Sequence, residues 1–203
     1  MPLIKYNNQS LSAITSLPSA IPTGKLKLIS SQTASNSASI SFTTGLNSTY
    51  KVYKFVFVNI RPRTTNAEFQ FNMSTDSGSN YNVTKTTTSF RAIHNEGDTF
   101  AYLEYNTGMD LAQSTSDQYL TGGGNNTNSD DNISGSLTLF NPASTTYVKH
   151  FIATVNNVTS SPYLGNNYFA GYGNTTSAIN ALIFRMDSGN IDGTIYLYAI
   201  DNS

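Results

Sequence analysis

Apolar and polar positions alternate along most of this chain with a period of two, the signature of strands whose two faces meet different surroundings. The final stretch, Gly189–Ile200, shows it most cleanly: Ile195, Leu197 and Ala199 interleave with Tyr196, Tyr198 and Ile200. It reads as a wall of a sheet that needs apolar partners from earlier in the chain. Lys25–Ser31 and Ala38–Thr43 read as two short strands separated by a Ser/Asn-rich turn. Lys51–Ile60 (KVYKFVFVNI) carries apolar residues on both faces and is expected deep in a sandwich, ending at Arg61-Pro62-Arg63.

Asn66–Met73 sets Phe69 and Phe71 against Glu68 and Gln70, and this alternation predicts Glu68 on a solvent-facing side. The turn Asp76–Asn80 (DSGSN) then leads to Tyr81–Ile93, and the pair reads as a hairpin. The stretch 94–132 is irregular. Met109–Ser114 is a candidate short helix, and Gly122–Asn126 with Asp130–Asn132 reads as a flexible exposed loop. Strand patterning resumes at Ile133–Phe140, Thr146–Val155, Tyr168–Tyr172 and Ala178–Met186. About ten short strands with no βαβ alternation predict an all-β fold, an antiparallel two-sheet sandwich of jelly-roll type.

Residues 1–24 differ. Pro2, Pro18 and Pro22 punctuate a stretch low in charge, and proline removes a ladder donor and biases its predecessor toward extended backbone. They read as an extended N-terminal arm before one β-sandwich domain, 25–203. Leu3, Ile4, Tyr6, Leu11, Ile14 and Leu17 are its candidate assembly contacts, anchoring either to their own domain or to a neighbouring subunit.

Composition narrows the function. Charged residues make up 11%, the net charge is −1, and Lys plus Arg number 11, so nucleic acid is not an expected partner. The chain has no cysteine, which excludes a disulfide framework and a thiolate metal site. No run approaches the roughly 20 apolar residues of a membrane-spanning helix, and the N-terminus lacks a signal-peptide pattern, so no membrane partner is expected. With 13 Tyr and 11 Phe there is ample surface to bury, unlike a disordered chain.

Candidate chemistry is sparse. The glutamates are Glu68, Glu96 and Glu104, and no pair suggests acid/base work. His94 and Glu96 offer half a metal site without a second histidine, and His150, inside a strand pattern, reads as a partly buried structural histidine. Asp76/Asn80 and Asp130/Asp131/Asn132 supply oxygen ligands without calcium-loop spacing. Nucleophile-elbow and phosphate-loop motifs are absent, so neither an enzyme nor a cofactor is expected. Tyr163, Tyr168 and Tyr172 form the candidate surface-recognition group: tyrosines stack on sugar rings or act as contact hot spots, and they also serve as rim residues of a sandwich.

Four stretches, Asp76–Phe90, Phe140–Thr154, Asn174–Ile179 and Ser188–Ala199, together with the opening MPLIKYNNQSLS, resemble small virion structural proteins of tailed bacteriophages, marine cyanophages in particular. The resemblance implies a jelly-roll module present in many copies on a virion assembled in the bacterial cytoplasm. It implies a capsid decoration or cement protein that binds the major capsid protein or other virion subunits and is itself a homo-oligomer, preferably a trimer. The alternative it leaves open is a tail or fibre component whose carbohydrate-binding face reads host polysaccharide. No catalytic residues come with it.

Overall fold

The structure is a computed structural model and describes residues 26–161 and 163–200. The expected arm, residues 1–24, and its candidate contacts Leu3, Ile4, Tyr6, Leu11, Ile14 and Leu17 lie outside the described residues. Twelve strands follow in order: β1 (Leu26–Ser37), β2 (Ile40–Phe42), β3 (Val52–Pro62), β4 (Phe69–Ser74), β5 (Lys85–Asn95), β6 (Ala101–Tyr105), β7 (Gln118–Tyr119), β8 (Ile133–Phe140), β9 (Lys149–Val158), β10 (Tyr163–Gly173), β11 (Ala181–Met186) and β12 (Ile191–Ile200). They build two antiparallel sheets, one ordered β1-β12-β3-β8-β9-β10-β5-β6 and the other β2-β11-β4-β7.

The topology is a jelly roll. With β5, β6, β9 and β10 set aside, the chain forms nested antiparallel pairs, β1 with β12, β2 with β11, β3 with β8 and β4 with β7. Successive pairs fall alternately in the larger and the smaller sheet, so the fold is one long hairpin rolled into two facing layers. The four strands set aside are insertions, β5–β6 between β4 and β7 and β9–β10 between β8 and β11. Both join the larger sheet beyond β8 and double its width.

Period two places the core. In β9 the pattern is nearly perfect: Lys149, Phe151, Ala153, Val155 and Asn157 are buried while His150, Ile152, Thr154 and Asn156 face out. In β12, Ile195, Leu197 and Ala199 are inward as the sequence predicts, and the strand lies between β1 and β3. Between the sheets Phe184 of β11 is a hub. Its ring lies 5.2 Å from Phe55 and 5.3 Å from Phe57 of the larger sheet, and 6.0 Å from Phe69 and 6.2 Å from Phe71 of its own. Offset and edge-on pairs of this kind add to the burial of large apolar side chains.

The larger sheet carries a local break in its ladder. Register slips between Asp192 and Thr194 on β12 and between Phe57 and Ile60 on β3. Gly193, at φ 119°, faces Asn59, itself at φ 52°. A Cβ on Gly193 would stand 2.5 Å from the Asn59 carbonyl oxygen, so only glycine fits this bulge. Asp192 beside it clamps the strand end, accepting from Arg61 at 2.9 Å and Arg63 at 2.6 Å.

Several expectations need correcting. Lys51–Ile60 is apolar on both faces, but β3 buries only one: Tyr53, Phe55 and Phe57 point into the core while Val52 and Val56 are half-buried and Val58 is exposed. The turn Asp76–Asn80 does not close a hairpin, because β4 belongs to the smaller sheet and β5 to the larger. Met109–Ser114 is not helical. Its backbone bonds to the free edge of β5 instead, Leu111 with Thr87 and Ser114 with Lys85 in both directions, which spends the groups a helix would pair internally. His150 is exposed, its parity set by the outward face of β9.

Candidate functional site on the outer face

The outward positions of the added strands are more apolar than a solvated sheet face requires. Leu103 is 70% exposed, Ile152 53% and Phe90 43%. Register aligns three rings across β6, β5 and β10: Tyr105 opposite Phe90, and Phe90 opposite Tyr168. Phe90 and Tyr168 stack with centroids 4.7 Å apart and planes 9° from parallel. Tyr105 donates to Asp110 at 2.6 Å, and this bond is the main cause holding its phenol proton beyond the ordinary tyrosine range. Tyr168 accepts from Asn166 Nδ2 at 2.6 Å.

Next to this row the face dips. Ala170 sits in register between Thr88 and Ile152, and small side chains there leave an open groove of 490 Å³ bordered by Phe140, His150, Ile152 and Tyr172. The His150 and Tyr172 rings lie 5.9 Å apart at one end. The outer face therefore offers a flat aromatic row beside a shallow apolar trough, with few ionisable groups. Such a surface binds by burying area.

Of the recognition tyrosines, Tyr168 and Tyr172 share this face. Tyr163 has the opposite parity on β10, that of the buried Asn167 and Phe169, and its ring meets Phe100 at 5.6 Å. The structure thus brings two of the three together. The sequence reading missed the partners Phe90, Leu103, Tyr105 and Ile152. Their signal was the apolar residue at an outward position of β5, β6 and β9, legible only once the inward parity is known.

His94 bonds to Asp98 at 3.1 Å in an exposed turn. Among the described residues no group of three or more His, Asp and Glu converges as a metal site.

Glu68 is a correction. It is buried, not solvent-facing, because the 121–125 segment folds over the back of β4. Its Oε2 accepts from Thr121 Oγ1 at 2.7 Å and its Oε1 from Gly124 N at 2.6 Å. Burial raises its pKa above the ordinary 4.5, against the lowering effect of these bonds. Asn125 extends the network, donating to Ala67 O at 2.6 Å and accepting from Asn157 Nδ2 at 2.8 Å, while Asn157 accepts from Asn167 at 2.8 Å. Gly122, Gly124 and Asn125 are therefore buried, where the sequence suggested an exposed loop. The network fastens this connection to the sandwich.

No protein-family model, curated protein or solved structure matches this chain.

Proposed function

We propose that this protein is a non-enzymatic structural component of a tailed-phage virion, a decoration or cement subunit that attaches to the major capsid protein or to its own copies through the outer face of the larger sheet. The observation that carries this reading is the aromatic and aliphatic surface on β5, β6, β9 and β10, the strands added to the jelly-roll frame. Large side chains held rigidly on a sheet bury area at low entropic cost, and copy number multiplies weak contacts into stable attachment. The phage resemblance of Asp76–Phe90 and Phe140–Thr154 points the same way, since both stretches contribute residues to that face. The proline-punctuated residues 1–24 would add a second grip.

Purified particles of the encoding phage should carry the chain in many copies, traceable in a cryo-EM map with β5 and β6 against a neighbouring subunit. Particles that lack the chain would overturn the proposal. The second reading, a host-polysaccharide receptor on a tail or fibre, draws on the groove between Tyr172 and Phe140. Retention of the chain on immobilised host polysaccharide, lost on changing Tyr172→Ala, would favour it.

A further inference from the structure

A lysine in a strand ordinarily runs its stem along the surface and keeps its ammonium in water. Lys85, the first residue of β5, is fully buried. Its Nζ donates to two neutral oxygens, Asn72 Oδ1 at 2.6 Å and Val83 O at 2.8 Å. Asn72 lies on β4, on the side turned away from the phenylalanine core, and is itself 1% exposed. The other end of its amide is also held: Nδ2 donates to Asp117 Oδ1 at 2.8 Å and to Thr115 O at 3.0 Å. Arg185 fixes the second oxygen of Asp117 at 2.6 Å.

This arrangement has the parts that amine–amide exchange needs: a dry primary amine, a carboxamide against it, and a carboxylate on the nitrogen that must leave. Burial pushes the Lys85 ammonium down to about 8, against the upward pull of Asp117, so the nucleophilic free amine is accessible under mildly alkaline conditions. Holding the two groups in contact replaces a very slow bimolecular reaction with an intramolecular one, and exclusion of water suppresses hydrolysis.

We propose that Lys85 and Asn72 join in an intramolecular isopeptide bond, with Asp117 relaying the proton. The Nζ lone pair adds to Asn72 Cγ and forms the new C–N bond. With both nitrogens then on Cγ, Asp117, already bonded to Nδ2 at 2.8 Å, takes the proton shed by Nζ and hands it to Nδ2. The Cγ–Nδ2 bond then breaks, and Nδ2 leaves as ammonia. One amine and one carboxamide become one secondary amide and one ammonia, with no oxidant or cofactor. The product staples β4 of the smaller sheet to β5 of the larger, a covalent tie between layers in a chain with no cysteine.

The test uses the full chain, purified and held at mildly alkaline pH. Its intact mass, after allowance for N-terminal processing, is expected to fall short of the sequence by one ammonia. Asn72 and Lys85 share the tryptic segment 64–85, so acylation of Lys85 should block cleavage there and yield a 64–91 peptide lighter by one ammonia. Lys85→Met and Asn72→Ala should restore normal masses. Asp117→Asn, which preserves size, should give a folded chain that stays unlinked. A full-mass wild-type chain cleaved normally after Lys85 would overturn the proposal. So would an ammonia loss with Lys85 still cleaved, which marks an asparagine succinimide. An Asp117→Asn chain that links at the wild-type rate would overturn the relay.

Discussion

The Phe90 ring lies flat on Tyr168, centroids 4.7 Å apart, on a sheet face that no other part of the described chain covers. A stacked pair adds about 0.5–1.5 kcal/mol beyond the area it buries. Phe90→Ala and Tyr168→Ala should each leave a folded sandwich, with a double-mutant coupling of about 1 kcal/mol in urea unfolding. If this face serves virion assembly as proposed, the same variants with Leu103→Ser should cut incorporation into particles far more than they lower stability. Full occupancy by the triple variant would remove this face from assembly.

Phe184 touches rings from both sheets, so truncating it empties the place where the two layers meet. Phe184→Ala should cost about 3–5 kcal/mol, the range for deleting a large core aromatic. The midpoint of chemical denaturation reads this directly. A loss below about 1 kcal/mol would mean that the two sheets close over the gap.

Glu68 gives the fold a pH dependence of definite sign. Its folded pKa is raised, so between 4.5 and that higher folded value the native state binds more of the proton than the unfolded chain does. The stabilising protonated form is fully present below the ordinary pKa of 4.5 and is lost as pH rises through the folded value. Thermal midpoints should therefore carry a downward contribution above pH 4.5 that Glu68→Gln abolishes. Glu68→Ala leaves the Gly124 N–H and the Thr121 hydroxyl without their acceptor, at about 1–3 kcal/mol each. Faster amide exchange at Gly124 would report the loosened connection.

Lys85 shows the opposite slope. In an unlinked chain its folded pKa of about 8 lies below the unfolded 10.5, so the unfolded state binds more protons in that window and stability rises with pH across it. The full gain is on the order of 3 kcal/mol. Denaturation curves at several alkaline pH values should show this rise in unlinked chains. Lys85→Met should flatten it, and so should conversion of Lys85 to an amide, which no longer titrates.

The inward faces were legible because period two is a local property. Ile195, Leu197 and Ala199 follow from alternation alone, as does the absence of helical periodicity over long stretches. Sheet membership was not legible in the same way. Asp76 accepts from Asn80 at 2.9 Å and from Ser74 at 2.6 Å, and those bonds close the turn equally well within one sheet or between two. Which happens depends on β11 pairing with β4 and β10 pairing with β5, contacts between residues far apart along the chain, such as Ala181 with Ser74 and Gly173 with Lys85.

By itself, then, the order of residues determined an antiparallel sandwich and the inward face of strands such as β12 that alternate cleanly, because strand geometry assigns alternate residues to alternate faces without reference to the rest of the chain. Only the tertiary structure decided that the back of β4 is covered. Glu68 and Asn72 share the parity of a solvated face, and the segments 121–125 and 115–117, some fifty residues later, roof them over. Burial on that side is a property of two distant stretches together. That is why the buried carboxylate, the Lys85–Asn72 contact and the open aromatic face on the added strands appear only when the chain is folded.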